Sequence, residues 1–175
     1  MSLAKTDLLD VRSPARPLPT GGRALYEADE LLWREQQVAA LRAGRLGDLD
    51  AESLVECLES MSAGERRELR NRLAVLLAHV LKVLHQPGRH TKSWNDTIDD
   101  QQSQLALLFE TTPSLRRLLA EHYSKAYAEA RRLAARETGL PIATFPAEPP
   151  MAAEAALAYA PPAPPPPRGS VPARD

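Results

Sequence analysis

Glu56 and Glu59 stand three residues apart in this chain, and so do His79 and Lys82. On a helix that spacing places each pair on one face. If the two segments pack together, two carboxylates meet an imidazole and an amine. Such a cluster suits proton transfer or a divalent cation, because carboxylate oxygen and imidazole nitrogen both ligate metals and both move protons. The plainer reading is a partly buried polar network that compensates charges set on an apolar helix. The Glu-x-x-His spacing of metal-dependent bundles is absent, which favours the plainer reading. No metal and no other cofactor is expected.

Asp29, Trp33 and Gln37 follow at i, i+4 and i+8, so one helix face carries an acceptor, an aromatic plate and an amide. With Trp94 these residues form a candidate partner-binding face. The competing reading has Trp33 sealing the edge of a core while Asp29 and Gln37 satisfy nearby backbone groups. Arg66, Arg67 and Arg70, with Arg89 and Lys92 beside Trp94, form a candidate nucleic-acid surface, since arginine neutralises phosphate and indole stacks on bases. Glu65, Glu68, Asp96, Asp99 and Asp100 are interleaved or adjacent, so a solvated charged face is the simpler expectation. His122 falls in an apolar stripe, and Cys57 reads as a small packed thiol. The nucleophile elbow, the phosphate loop, the dinucleotide fingerprint and paired C-x-x-C motifs are all missing, so no catalytic residue is assigned.

Proline placement shows which elements must hold these residues. Three of the 16 prolines lie in residues 1–22, two in 23–139 and eleven in 140–175. Proline removes an amide donor and clashes inside helices, so helices run in the middle stretch. The first is expected from Leu25 to about Ala43. Asp50 can cap a second over Ala51–Met61. Ser62 and Glu65 have capping-box spacing and open a third that runs to about His85. Its stripe of Leu69, Leu73, Leu76, Leu77, Val80, Val83 and Leu84 marks it as central. A fourth covers Trp94 to about Phe109. Thr112 and Pro113 start a fifth, which ends at Thr138 before Gly139 and Pro141. Strand-like alternation is absent. The fold class is therefore all-α, a compact bundle of about five helices with extended or disordered Pro-rich termini. Residues 1–22 read as a flexible arm, 23–150 as the helical domain and 151–175 as an Ala/Pro-rich extension.

The 175 residues carry 22 Lys plus Arg against 23 Asp plus Glu, a formal net charge of −1. That balance argues against a protein held to nucleic acid mainly by phosphate contacts, leaving only a local patch. One cysteine cannot form an internal disulfide. The longest apolar run, Leu73–Leu81, is broken by His79 and is far below the roughly 20 residues of a membrane span. Residues 1–20 show no signal-peptide apolar block. A soluble cytoplasmic protein with no membrane partner is the expectation.

Several islands, in this order, resemble a bacterial family catalogued as domain-of-unknown-function family twenty-nine. They are Tyr26, Asp29, Trp33 and Gln37, then Leu41-Arg42-Ala43-Gly44 and Leu49-Asp50, then Glu56, Glu59 and Met61 before Glu65-Arg66-Arg67. Further on come His79-Val80-Leu81-Lys82, Gln86-Pro87, Ser93-Trp94 and Pro113-Ser114-Leu115. The most specific island is Glu137-Thr138-Gly139-Leu140-Pro141 with Phe145-Pro146. The resemblance covers about Leu25 to Met151 and implies an α-helical bacterial protein with no established activity. Cys57 stands where the family pattern has a second Glu, Val83 where a Trp is frequent, and Gln102 where an Arg is common.

The leading functional expectation is a non-enzymatic helical module that pairs with itself or with another bacterial protein. A nucleic-acid-associated protein using the basic Arg/Trp surface comes second. A metal-assisted hydrolase at the Glu/His cluster comes third.

Overall fold

The computed structural model describes residues 21–166, so most of the expected N-terminal arm and the last nine residues of the C-terminal extension lie outside it. The described residues form helices and turns without a strand. The chain divides into two compact units, Met1–Ser60 and Met61–Asp175, each with its own hydrophobic core. The boundary falls inside the longest helix, where no proline or Gly-rich linker marks it in the sequence.

In the first unit the helix expected over Leu25–Ala43 is two helices, α1 (Gly22–Ala28) and α2 (Glu30–Arg42). Asp29 makes the break. Its backbone leaves helical geometry (φ −153°, ψ 87°) and its carboxylate accepts from the Leu32 amide at 3.0 Å. The side chain thus satisfies one of the four free donors that open α2. The bend also sets Tyr26 edge-on to Trp33, ring centroids 4.7 Å apart. Leu25, Trp33 and Cys57 form the small core, with Tyr26, Leu32 and Leu54 packed against it.

Helix α3 (Ala51–His85) runs without interruption through both of the helices expected at Ala51–Met61 and Ser62–His85. The Ser62-x-x-Glu65 pattern is therefore mid-helix and caps nothing. Breaking the helix there leaves four amides and four carbonyls without partners, whereas keeping Gly64 helical costs only about 1 kcal/mol.

In the second unit α3 supplies an apolar stripe from Leu69 that broadens from Leu73 to Val83 until most of the helix surface is buried. A 3-10 turn at Pro87–Arg89 leads into α4 (Lys92–Thr111), which buries Ile98, Leu105 and Phe109. Pro113–Leu118 is a 3-10 segment, not the first turn of an α-helix. Next, α5 (Leu119–Thr138) buries Leu119, Tyr123, Ala126, Tyr127, Ala130 and Ala134. Spacings of three and four put these on one stripe, and the alanines allow close helix contact. Gly139 closes α5 in the left-handed region (φ 72°), as a helix end of this kind requires.

Beyond α5 the chain returns across the bundle. Tyr127 donates its hydroxyl to the Pro146 carbonyl at 2.8 Å, and Arg131 donates to the Phe145 carbonyl at 3.1 Å. Tyr123 donates to Met151 at 2.9 Å, and burial pushes its phenol up to about 12. A short helix α6 (Ala153–Leu157) sets Ala153 and Ala156 into the core. Tertiary burial stabilises this segment, which is too short to be helical alone.

Candidate functional site

Side-chain contacts join the C-terminal end of α3 to the C-terminal end of α5, so the two helices run parallel, and the short α3–α4 connection places the start of α4 at the same end. Lys82, Trp94 and Glu137 meet there. Lys82 is buried, and its Nζ lies 2.7 Å from Glu137 Oε2 and 4.6 Å from the centroid of the Trp94 ring. A buried ammonium needs both a counter-ion and a polarisable surface, and these two residues provide them. The charge also sits in the last turn of α3, where a cation complements the helix dipole. Gln86 adds a donor to the Thr138 carbonyl at 3.4 Å.

One turn earlier on α3, His79 Nδ1 is 2.9 Å from the Val75 carbonyl. A carbonyl only accepts, so Nδ1 carries the proton. Burial holds the imidazole pKa below its ordinary value, and the Lys82 charge adds to that effect. Just before α4, the buried His90 hydrogen-bonds through Nε2 to Asn95 Oδ1, and its ring lies 6.2 Å from that of Trp94.

The expected polar cluster of Glu56, Glu59, His79 and Lys82 is not assembled. Both pairs lie on the single helix α3, so no second helix brings the carboxylates against the imidazole and amine. Glu56 belongs to the first unit and pairs with Arg23, whose guanidinium is held strongly protonated by Glu27 and Glu56. Lys82 takes Glu137 instead. Among the described residues no three His, Cys, Asp or Glu side chains are grouped to hold a metal ion.

The basic surface is likewise divided. Arg66, Arg67 and Arg70 sit in the early part of the second unit's α3, while Arg89 and Lys92 follow its end. Roughly 20 helical residues, about 30 Å, separate the two groups. Lys92 is engaged by Asp96 one turn on, and the Trp94 ring is covered by Lys82. No single patch of arginine and indole forms.

The expected partner face of Asp29, Trp33 and Gln37 is turned to the first unit's own needs. Asp29 caps α2, Trp33 is fully buried, and Gln37 Oε1 accepts from the Asp50 amide at 2.8 Å. Asp50 in turn accepts from the Ser53 amide at 3.2 Å at the start of α3. The Ser53 hydroxyl and the Trp33 indole N–H are buried donors, and Asp50 Oδ2 is a buried acceptor, none with a partner at normal hydrogen-bond geometry. Attraction to these donors, Ser53 foremost, holds the Asp50 carboxyl below its usual range.

A second feature of α2 lies on its other side. Leu31, Val38 and Leu41 are exposed, away from the stripe of Trp33, Gln37 and Ala40 that faces inward. Val55 and Leu58 do the same on α3, on the face opposite Ser53 and Cys57. Sequence reading missed Glu137, Asn95 and Asp50 as functional partners of Lys82, His90 and Trp33. Glu137, within its Glu-Thr-Gly-Leu-Pro island, and Asp50, as a helix cap within Leu49-Asp50, carry a visible signal, whereas Asn95 carries none.

Residues 25–160 match the family described as Domain of unknown function DUF29. No curated protein and no solved structure is matched by the chain. No helix among the described residues is long and apolar enough to cross a membrane.

Proposed function

Because the chain belongs to the family described as Domain of unknown function DUF29, which brings no activity with it, we propose from its own surface that it is a non-enzymatic helical interaction module that pairs with a second copy of itself. The observation that carries this reading is where the exposed apolar side chains fall. Among the described residues, six of the ten large ones lie in the first unit: Leu31, Val38, Leu41, Leu46, Val55 and Leu58. That unit describes only residues 21–60, and its own core holds just three fully packed side chains. An apolar area outside a small core is what a partner-binding surface looks like.

Charge order along α2 favours a second copy over an unlike partner. Glu27 and Glu30 flank the start of the Leu31–Val38–Leu41 stripe, Arg34 and Glu35 lie within it, and Arg42 and Arg45 flank its end. Two copies of α2 packed antiparallel, about a two-fold axis perpendicular to the helices, set each acidic start against the partner's basic end. Sedimentation velocity on the full chain tests this. Wild type is expected as a concentration-dependent dimer, and Leu31→Glu/Val38→Glu as a folded monomer by circular dichroism. A wild-type chain that stays monomeric at high concentration, or a dimer indifferent to both substitutions, overturns the reading.

A further inference from the structure

The residues that follow α6 do not leave the second unit. Gln102, on α4, donates from Nε2 to the Ala156 and Tyr159 carbonyls at 3.2 and 2.9 Å. About two turns earlier on the same helix, Asn95 donates from Nδ2 to the Pro162 carbonyl at 3.0 Å. The chain from Ala160 to Pro166 has no regular secondary structure and is almost all proline and alanine. Pro164–Pro166 face Gly88–Lys92 across a cleft of about 300 Å³.

The Asn95 contact follows the chemistry by which proline-rich chain is recognised, and the Gln102 contacts hold the residues that lead into it. A run of prolines has no amide donors, so its carbonyls are the only backbone groups that can be read. The reader must therefore supply side-chain donors. Asn95 and Gln102 are such donors, and the cleft that takes Pro164–Pro166 is walled by Gly88–Lys92. Asn95 is also held in its donating orientation. Its Oδ1 is taken by Nε2 of the buried His90, which leaves the amide NH₂ for Pro162. A buried imidazole whose hydrogen bond fixes a surface amide toward a proline carbonyl is more than packing of a terminal segment requires.

We propose that the α4 surface bearing Asn95 and Gln102, with His90 bonded to Asn95 from the preceding turn, is a recognition groove for extended proline-rich chain. The segment Tyr159–Pro166 occupies it within one copy and is exchangeable for the same segment of a second copy. The surface is separate from the α2 stripe, and its occupancy is independent of whether that stripe forms a dimer.

The test uses a fluorescent peptide of residues 159–166 and measures its binding by anisotropy to three full-length chains. In wild type the tethered segment competes at an effective concentration near the millimolar range, so the free peptide binds weakly. Pro161→Gly/Pro162→Gly/Pro164→Gly loosens the tethered segment, and peptide affinity is expected to rise by about tenfold or more as that competition is lifted. In the loosened chain, Asn95→Asp keeps the acceptor for His90 and the side-chain size but removes the donor. Peptide binding is expected to fall by about fivefold or more, in line with loss of one hydrogen bond to a backbone carbonyl. Gln102→Glu, equally conservative, removes the second donor and is expected to give a similar loss, so the test stands on whichever variant keeps the wild-type circular dichroism. No peptide binding to the loosened chain, equal binding to loosened and wild-type chains, or binding unchanged by both Asn95→Asp and Gln102→Glu overturns the proposal. A failure of dimerisation leaves these outcomes unaltered.

Discussion

Replacing Glu137 by Gln removes the counter-ion of Lys82 while keeping the shape of the side chain. The Lys82 side chain is 7% exposed and that of Glu137 is 34% exposed, with 2.7 Å between the charges. At that distance and an effective dielectric of 20, the gross attraction is about 6 kcal/mol. Desolvation of the ammonium offsets most of it, and loss of one partner from a buried pair costs about 3–5 kcal/mol. A third of Glu137 sees water, so solvent takes over part of its role and the expected cost is about 2–3 kcal/mol. Lys82→Met behaves differently. It removes the buried charge together with its desolvation penalty and loses a cation–π contact of about 1 kcal/mol, partly regained by apolar burial against Trp94. Its net cost is about 0–1 kcal/mol. In the Lys82→Met background Glu137→Gln is nearly silent, giving a coupling of about 2 kcal/mol. Urea unfolding followed by circular dichroism reads all four proteins, and Glu137→Gln alone should lower Tm by on the order of 10 °C. Additive effects, or a loss below about 0.5 kcal/mol for Glu137→Gln, refute the claim that Lys82 depends on this carboxylate.

Gly139→Ala meets no neighbouring atom but forces a Cβ into the left-handed region at φ 72°, so it should cost about 1 kcal/mol in thermal unfolding. Asp29→Ala removes the acceptor for the Leu32 amide and should destabilise the first unit by about 1 kcal/mol, seen as faster amide exchange in α2. His79 has a folded pKa below its unfolded value of 6.5, so its contribution to stability is full above that value and is lost as pH falls through the folded pKa. Tm of the wild-type chain should therefore drop on going from pH 7 to pH 5, and His79→Gln should flatten that part of the profile.

Much of the helical pattern is legible in residue order, because apolar spacing, proline and glycine act within a few residues of one another. The central stripe from Leu69 to Val83, the stop at Gly139 and the start near Trp94 all follow from local rules. Two local signals mislead for one reason. Asp29 within an apparently continuous helix, and Ser62-x-x-Glu65 before an apolar run, both read as caps or as nothing, depending on whether the chain bends there. Asp29 bends because Tyr26 must reach Trp33 in a core of three residues. Ser62 does not, because α3 remains intact past Gly64.

The candidate sites divide in the same way. Residue order is enough to set the all-α class, the buried face of α3, the proline-rich composition of the last segment and the presence of His79, Lys82 and Trp94 near one helix end. What those groups touch depends on long-range packing. Glu137 lies 55 residues from Lys82, and Pro162 lies 67 from Asn95. Neither spacing has a period that a helix or a turn imposes. The parallel course of α3 and α5, and the return of the chain beyond α6, set these partners within hydrogen-bond reach. Side-chain spacing shows what can share a face of one helix, whereas the choice between helices rests on burying the most apolar surface with every enclosed polar group satisfied.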